Sequence, residues 1–128
     1  MTAPVDPFRI LVTGSRTWDD QATIEKELLR LWLGQGCRTD LIVVHGDCNR
    51  GADRIADLCW RRRGLPVEAH PAQWKALGLA AGRIRNEEMV RAGASICLAF
   101  IKGDSRGATH CMTRAEQAGI PVRVWRRP

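Results

Sequence analysis

The 128-residue sequence contains no apolar run long enough to span a bilayer, which excludes a transmembrane helix. Its first seven residues, Met1-Thr2-Ala3-Pro4-Val5-Asp6-Pro7, have neither the basic nor the apolar region of a signal peptide. They read as a flexible lead-in (1–7) to one domain over 8–128. Cysteine is too irregular for a disulfide framework. There are five (Cys37, Cys48, Cys59, Cys97 and Cys111), an odd number that leaves at least one unpaired. Reduced thiols in a cytoplasmic protein are expected. His45-x-x-Cys48 and His110-Cys111 lack the doubled spacing of a structural zinc site, so no metal is expected. Aromatic residues make up only 5%, which argues against a stacking platform for a run of bases. Neither GxGxxG nor GxxxxGK[ST] occurs, so a dinucleotide fingerprint and a Walker loop are unsupported and no cofactor is expected.

Arginine, by contrast, is abundant. Of 20 basic residues three are lysine and 17 arginine, and the net charge is +6 with a pI near 9.6. The planar arginine fork suits phosphate and carboxylate, which points to an anionic partner. With 45% apolar and 27% charged residues, the chain has the composition of a globular domain.

Short apolar runs alternate with helical patterns. Residues 8–13 read as a strand, followed by a helix capped by Asp19 or Asp20 and running to about residue 33. Residues 41–45 form a continuous apolar run, as in a strand buried on both faces. A helix is predicted over about 51–63, a strand over 66–69, an irregular stretch over 70–80 and a helix over about 81–92. A strand at 95–101, a polar loop at 102–107, a helix at 108–118 and a strand at 121–125 complete the chain. The order βαβαβ, then αβαβ, requires crossovers and hence a parallel sheet. This predicts an α/β Rossmann-like three-layer domain with about five parallel strands. Ligands of such sheets sit beyond the strand carboxyl ends, so the informative loops begin at Gly14, Gly46, His70 and Lys102.

Four segments carry candidate chemistry. In Thr13-Gly14-Ser15-Arg16, Gly14 permits close backbone approach, Ser15 offers a hydroxyl and Arg16 a charge-assisted fork. His45-Gly46-Asp47-Cys48-Asn49-Arg50-Gly51-Ala52-Asp53 opens a helix whose N–H groups can hold an anion. Within it Gly46, Asp47, Gly51, Ala52 and Asp53 are binding candidates, although Asp47 and Asp53 also suit a turn and a first helical turn. His45 reads as structural rather than catalytic. In Gly82-Arg83-Ile84-Arg85-Asn86-Glu87-Glu88-Met89, Arg85 can reach the strand ends and Asn86 can fix a base edge or a loop carbonyl. Gly103-Asp104-Ser105-Arg106-Gly107-Ala108-Thr109 has the composition of a phosphate cradle, with Ser105, Arg106, Gly107 and Thr109 as its contacts.

Together with His70-Pro71-Ala72-x-Trp74 and Ala118-Gly119-Ile120-Pro121-Val122, these segments resemble the SLOG superfamily, in particular its small YspA/YpsA-related branch. The resemblance runs in order along nearly the whole chain after Phe8. It implies a Rossmann-like sheet with a pocket for a nucleotide or phosphorylated sugar-nucleotide, and a homodimer. Arg85-Asn86-x-x-Met89 is similar to the Arg-Lys-x-x-Met segment of the Lonely-guy phosphoribohydrolases, which release base from nucleoside monophosphates. Ser105-Arg106-Gly107-Ala108-Thr109 resembles their Gly-Gly-x-Gly-Thr loop. Where those enzymes carry a glutamate after the threonine, this chain has His110, Cys111 and Met112, and its nearest glutamate is Glu116. Binding or sensing without base release is therefore the leading expectation. The alternatives are a phosphoribohydrolase using Asp104, Asp47 or His110, and single-stranded DNA binding as in DprA-type relatives. The DNA alternative would draw on the arginine clusters 61–63 and 126–127, as a weak nucleic-acid partner.

Overall fold

The computed structural model describes residues 7–128; the lead-in expected over 1–7 lies outside them except for Pro7. Five strands build the sheet: β1 (Arg9–Gly14), β2 (Ile42–His45), β3 (Val67–Ala69), β4 (Ile96–Lys102) and β5 (Val122–Arg127). The helices are α1 (Gln21–Gly34), α2 (Ala52–Arg61), the short α3 (Trp74–Leu77), α4 (Ala81–Ala92) and α5 (Arg106–Gln117), with a 3-10 turn at Gly78–Ala80. The strands lie in the order β3-β2-β1-β4-β5, and every pairing is parallel. This is a Rossmann-like α/β architecture.

Local chemistry explains the elements. Asp20 caps α1 by accepting the Thr23 N–H at 3.1 Å, and the Thr23 hydroxyl donates to the same carboxylate at 2.6 Å. Gly64 follows α2 at a φ of +69°, a left-handed turn that most side chains resist, and the chain then enters β3. Strand alternation sends Ile10 and Val12 into one core with Ile24, Leu28 and Trp60 of α1 and α2. It sends Leu11 to the other face, with Met89 of α4 and Cys111 and Ala115 of α5. Both faces of the central strand are thus buried, which is why Ile10, Leu11 and Val12 at its centre are all apolar.

The chain winds from β1 through β2 to β3 on one side, then returns to lay β4 against the other edge of β1. Gly14 at the end of β1 is paired with Phe100 of β4. Beyond this pair, the β1–α1 and β4–α5 loops diverge and leave a crevice at the topological switch point.

Several boundaries differ from expectation: the stretch 70–80, expected to be irregular, contains α3 and the 3-10 turn, and α2 ends at Arg61 rather than about residue 63. Helix α5 begins at Arg106 rather than residue 108, so Arg106 and Gly107 belong to its first turn. Strand β5 continues to Arg127, where the register pairs Ile101 with Arg126 and Lys102 with Arg127. The arginines that seemed to follow the last strand instead form its exposed end. No helix among the described residues is long and apolar enough to cross a membrane.

Candidate functional site

A cleft of about 530 Å³ opens at the carboxyl ends of β1, β2 and β4. That is the size range of small-molecule sites. Four loops and the first turns of α4 and α5 enclose it.

The β1–α1 loop forms its floor. Ser15 is almost wholly committed to the fold. Its N–H donates to the Phe100 carbonyl at 2.9 Å, and its hydroxyl accepts the Lys102 N–H at 2.7 Å and donates to the Lys102 carbonyl at 3.2 Å. Its own carbonyl accepts the N–H groups of Trp18 and Ala52. Side chains larger than hydrogen cannot enter here. A Cβ on Gly14 would overlap Ala52 and the Phe100 carbonyl, and one on Gly51 would overlap the Ser15 and Arg16 backbone. Gly51 also sits at a φ of +74°.

The β2–α2 loop is closed by its own carboxylate. Asp53 Oδ2 accepts the Gly46 N–H at 3.1 Å and the Cys48 N–H at 3.3 Å. The Ala52 N–H is already taken by Ser15, so the N-terminus of α2 is largely occupied from within the chain. Burial pushes the Asp53 carboxyl above the usual carboxylate range. Burial likewise raises the Cys48 thiol, with Asp53 nearby adding to the effect, so a nucleophilic thiolate is disfavoured. His45 accepts the Asp47 N–H at Nδ1 (2.9 Å), which places its proton on Nε2, facing Asp57 at 2.7 Å. This buried histidine holds the loop to α2 and does not line the cleft.

Arg85 and Asn86 tie α4 across the mouth. Arg85 donates from NH1 to the Gly46 carbonyl and from Nε to Asn86 Oδ1 at 2.9 Å. Asn86, buried, donates to the Gly107 carbonyl at 3.1 Å and lies 3.2 Å from His110 Nδ1. One arginine–asparagine pair thereby links loops from β2 and β4.

The β4–α5 loop is different in character. Ser105 stands at the N-cap of α5 but makes no side-chain capping bond. The N-terminal N–H groups of α5 and the positive end of its dipole therefore face the cleft without a cap from the chain. Around them stand Arg16, Arg50, Arg83 and Arg106, all lining the cleft and forming no ion pair among the described residues. Lys102 lines it too, 3.4 Å from Asp19. Among the described residues only two carboxylates, Asp53 and Asp104, line the same space.

Of the residues read from the sequence, Gly14, Ser15, Arg16, Gly46 and Asp53 line the cleft on the β1 and β2 side. Arg85, Asn86, Ser105, Arg106 and Gly107 line it on the other. Asp47, at a φ of +59°, faces an adjoining hollow of about 300 Å³ instead. Gly51 and Ala52 pack beneath the first loop, and Thr109 is exposed on α5 outside the lining. Of the positions that replace the glutamate, Cys111 and Met112 are buried in the core and His110 is held by Asn86. None lines the cleft. Sequence reasoning passed over Arg50, Arg83, Lys102, Trp74 and Leu79, which do. Arg50, Arg83 and Trp74 stood within the segments read from the sequence without being singled out as contacts, Lys102 closes β4, and Leu79 is a single exposed apolar residue without a motif. No group of three or more His, Cys, Asp or Glu side chains among the described residues could hold a metal ion.

The fold and the position of this cleft define a Rossmann-like domain with its site at the switch point. Residues 8–76 match the family model described as the YspA, cpYpsA-related SLOG family. The chain is also 50% identical over 123 residues to the Gene 61 protein of Mycobacterium phage D29, covering 89% of this chain and 93% of that one. The chain belongs to the YspA, cpYpsA-related SLOG family, and this membership supports a nucleotide-related ligand-binding or processing role in general.

Proposed function

We propose that the cleft binds a nucleotide or a phosphorylated sugar-nucleotide, with its phosphate at the first turn of α5. The observation that carries this reading is the α5 N-terminus without a side-chain cap, in a cleft lined also by Arg16, Arg83 and Arg106, none of them ion-paired among the described residues. Free N–H groups, a helix dipole and forked cations in one place favour a multiply charged anion. The β2–α2 loop is a poorer anion site, because Asp53 already fills it.

The test is native mass spectrometry of whatever co-purifies with the protein, followed by calorimetric titration of the released compound. Recovery of a phosphate-bearing small molecule supports the reading. Failure of any nucleoside mono- or diphosphate to bind the emptied protein refutes it.

Base release is the second reading, and its support is that Asp53 and Asp104 line the cleft. A carboxylate is the group that stabilises developing positive charge on a ribose. Liquid chromatography for free base after prolonged incubation with each nucleoside monophosphate separates this reading from binding alone. Nucleic acid fits less well. Arg61–Arg63 follow from the C-terminal end of α2, at the opposite end of the sheet from the cleft; there Arg61 pairs with Asp57 and Arg63 donates to the Cys59 carbonyl.

A further inference from the structure

The lining of the cleft includes exposed apolar side chains beside its arginines. They are Trp74 of α3 and Leu79 of the 3-10 turn, in a segment with no buried residue. Leu79 is 97% exposed and Trp74 47%. Exposure of this kind is unusual for the tryptophans of this chain. Trp18, Trp32 and Trp60 each donate the indole N–H to a backbone carbonyl, and Trp125 stacks on Phe100 at 4.9 Å. Trp74 has neither kind of partner among the described residues.

Its ring nevertheless has a seat. The ring atom Cη2 lies 3.2 Å from where a Cβ on Gly82 would stand, so the missing side chain at Gly82 lets the indole rest on the first turn of α4. The Arg85 guanidinium approaches the same point, at 3.8 Å. Trp74 also borders both the main cleft and the adjoining hollow, which share Arg16, Gly46, Cys48 and Arg85.

We infer that Trp74 is the platform for a planar base, so that the cleft selects a nucleoside phosphate over a sugar phosphate or free phosphate. This rests on the phosphate reading above and adds the other end of the ligand. A base laid on Trp74 and Leu79 removes their apolar surface from water, and any base offers a π-face to the indole. The phosphate then lies towards α5.

The experiment titrates the full chain with each of the four common nucleoside monophosphates and with ribose 5-phosphate, by calorimetry and by tryptophan fluorescence. At least one monophosphate binds more tightly than ribose 5-phosphate and changes the fluorescence, whereas ribose 5-phosphate binds without that change. Trp74→Ala lowers the affinity of that monophosphate by roughly 5- to 150-fold, the range of a single base–aromatic stack, and leaves ribose 5-phosphate unaffected. Trp74→Phe retains most of the discrimination. Equal affinity of all five probes for the wild-type protein overturns the inference while leaving the phosphate reading standing. An equal loss for all probes in Trp74→Ala also overturns it, by making the residue structural. Binding of none of the probes overturns both. A fluorescence change that appears only with rising protein concentration assigns Trp74 and Leu79 to a second copy of the chain and overturns the base platform.

Discussion

The Asp53 carboxylate accepts the Gly46 N–H at 3.1 Å, so the β2–α2 loop carries its own buried anion. The same oxygen holds the Cys48 N–H, and burial raises the carboxyl above the ordinary range. Acceptor and charge can be separated by mutation. Asp53→Ala strips two backbone donors of their acceptor and lowers stability by roughly 1–3 kcal/mol. Asp53→Asn keeps an acceptor oxygen without the buried charge and loses less than half of that. Because the folded value lies above the unfolded one near 3.8, the contribution of Asp53 is full below that pH. It is lost as pH rises through the folded value, so the comparison shifts towards Asn with rising pH. Urea unfolding of the three proteins between pH 4 and 8 measures this. Equal stability of the Ala and Asn variants at every pH contradicts it.

A second titration acts in the opposite direction. Arg9 forks onto Glu68 at 2.9 and 2.7 Å, His70 Nε2 lies 2.6 Å from Glu68 Oε2, and Arg9 Nε reaches the Gly93 carbonyl at 2.8 Å. The hydrogen bonds from Arg9 hold the Glu68 carboxyl down to about 2, against an ordinary value of 4.5. The folded value is depressed, so the stability is present above about 4.5 and is lost as pH falls towards 2. Glu68 is about one-third exposed, so solvent screens part of the effect. Glu68→Gln flattens this segment of the acid-unfolding curve. A slope between pH 4.5 and 2 that matches wild type denies the network its role.

The fold was legible because the main signals agree: apolar segments at the central strands β1, β2 and β4, a helical period between strands and glycines at most of the left-handed turns. Gly14, Gly46 and Gly107 came together as the sequence suggested, because βα loops of a parallel sheet emerge at one end. What stayed hidden was which polar groups are already spent. Ser15 and Asp53 look like ligands in the sequence, yet Ser15 hydrogen-bonds the backbone of Lys102, far away in the chain, and Asp53 closes its own loop onto the Gly46 and Cys48 N–H groups. Periodicity carries no information about those partners. Trp74 stood in the sequence within His70-Pro71-Ala72-x-Trp74, but its place at the cleft depends on a contact with Gly82 on another element, and α3 buries no residue of its own.

Arg85 and Arg106 separate positioning from binding. Read from the sequence, Arg85 is a free hand for phosphate; in the structure it bridges the Gly46 carbonyl and Asn86. Arg85→Ala therefore lowers stability without ligand by roughly 1 kcal/mol, as for a lost hydrogen bond, as well as weakening binding. Arg106, exposed and unpaired among the described residues, has no such tie. Arg106→Ala changes apo stability by less than about 0.5 kcal/mol and weakens a phosphate ligand by roughly 1.5–3 kcal/mol. Thermal melts and calorimetry on both variants decide between these patterns. Identical behaviour of the two means that the bridge made by Arg85 is inconsequential.

Gly107 gives the sharpest separation of folding from function. It lies in the first turn of α5, where a Cβ would meet nothing within 4 Å, and its φ is not in the left-handed region. The fold itself therefore makes no demand for glycine there. Alanine loses less backbone freedom on entering a helix, so Gly107→Ala raises apo stability by up to about 1 kcal/mol. If phosphate approaches the N–H groups of this turn, the same methyl stands in its path. Binding of a nucleoside monophosphate then falls while the melting temperature rises. Stabilisation with unchanged affinity removes phosphate from the α5 turn, whereas destabilisation without ligand means that the turn is packed more tightly than the open space at Gly107 indicates.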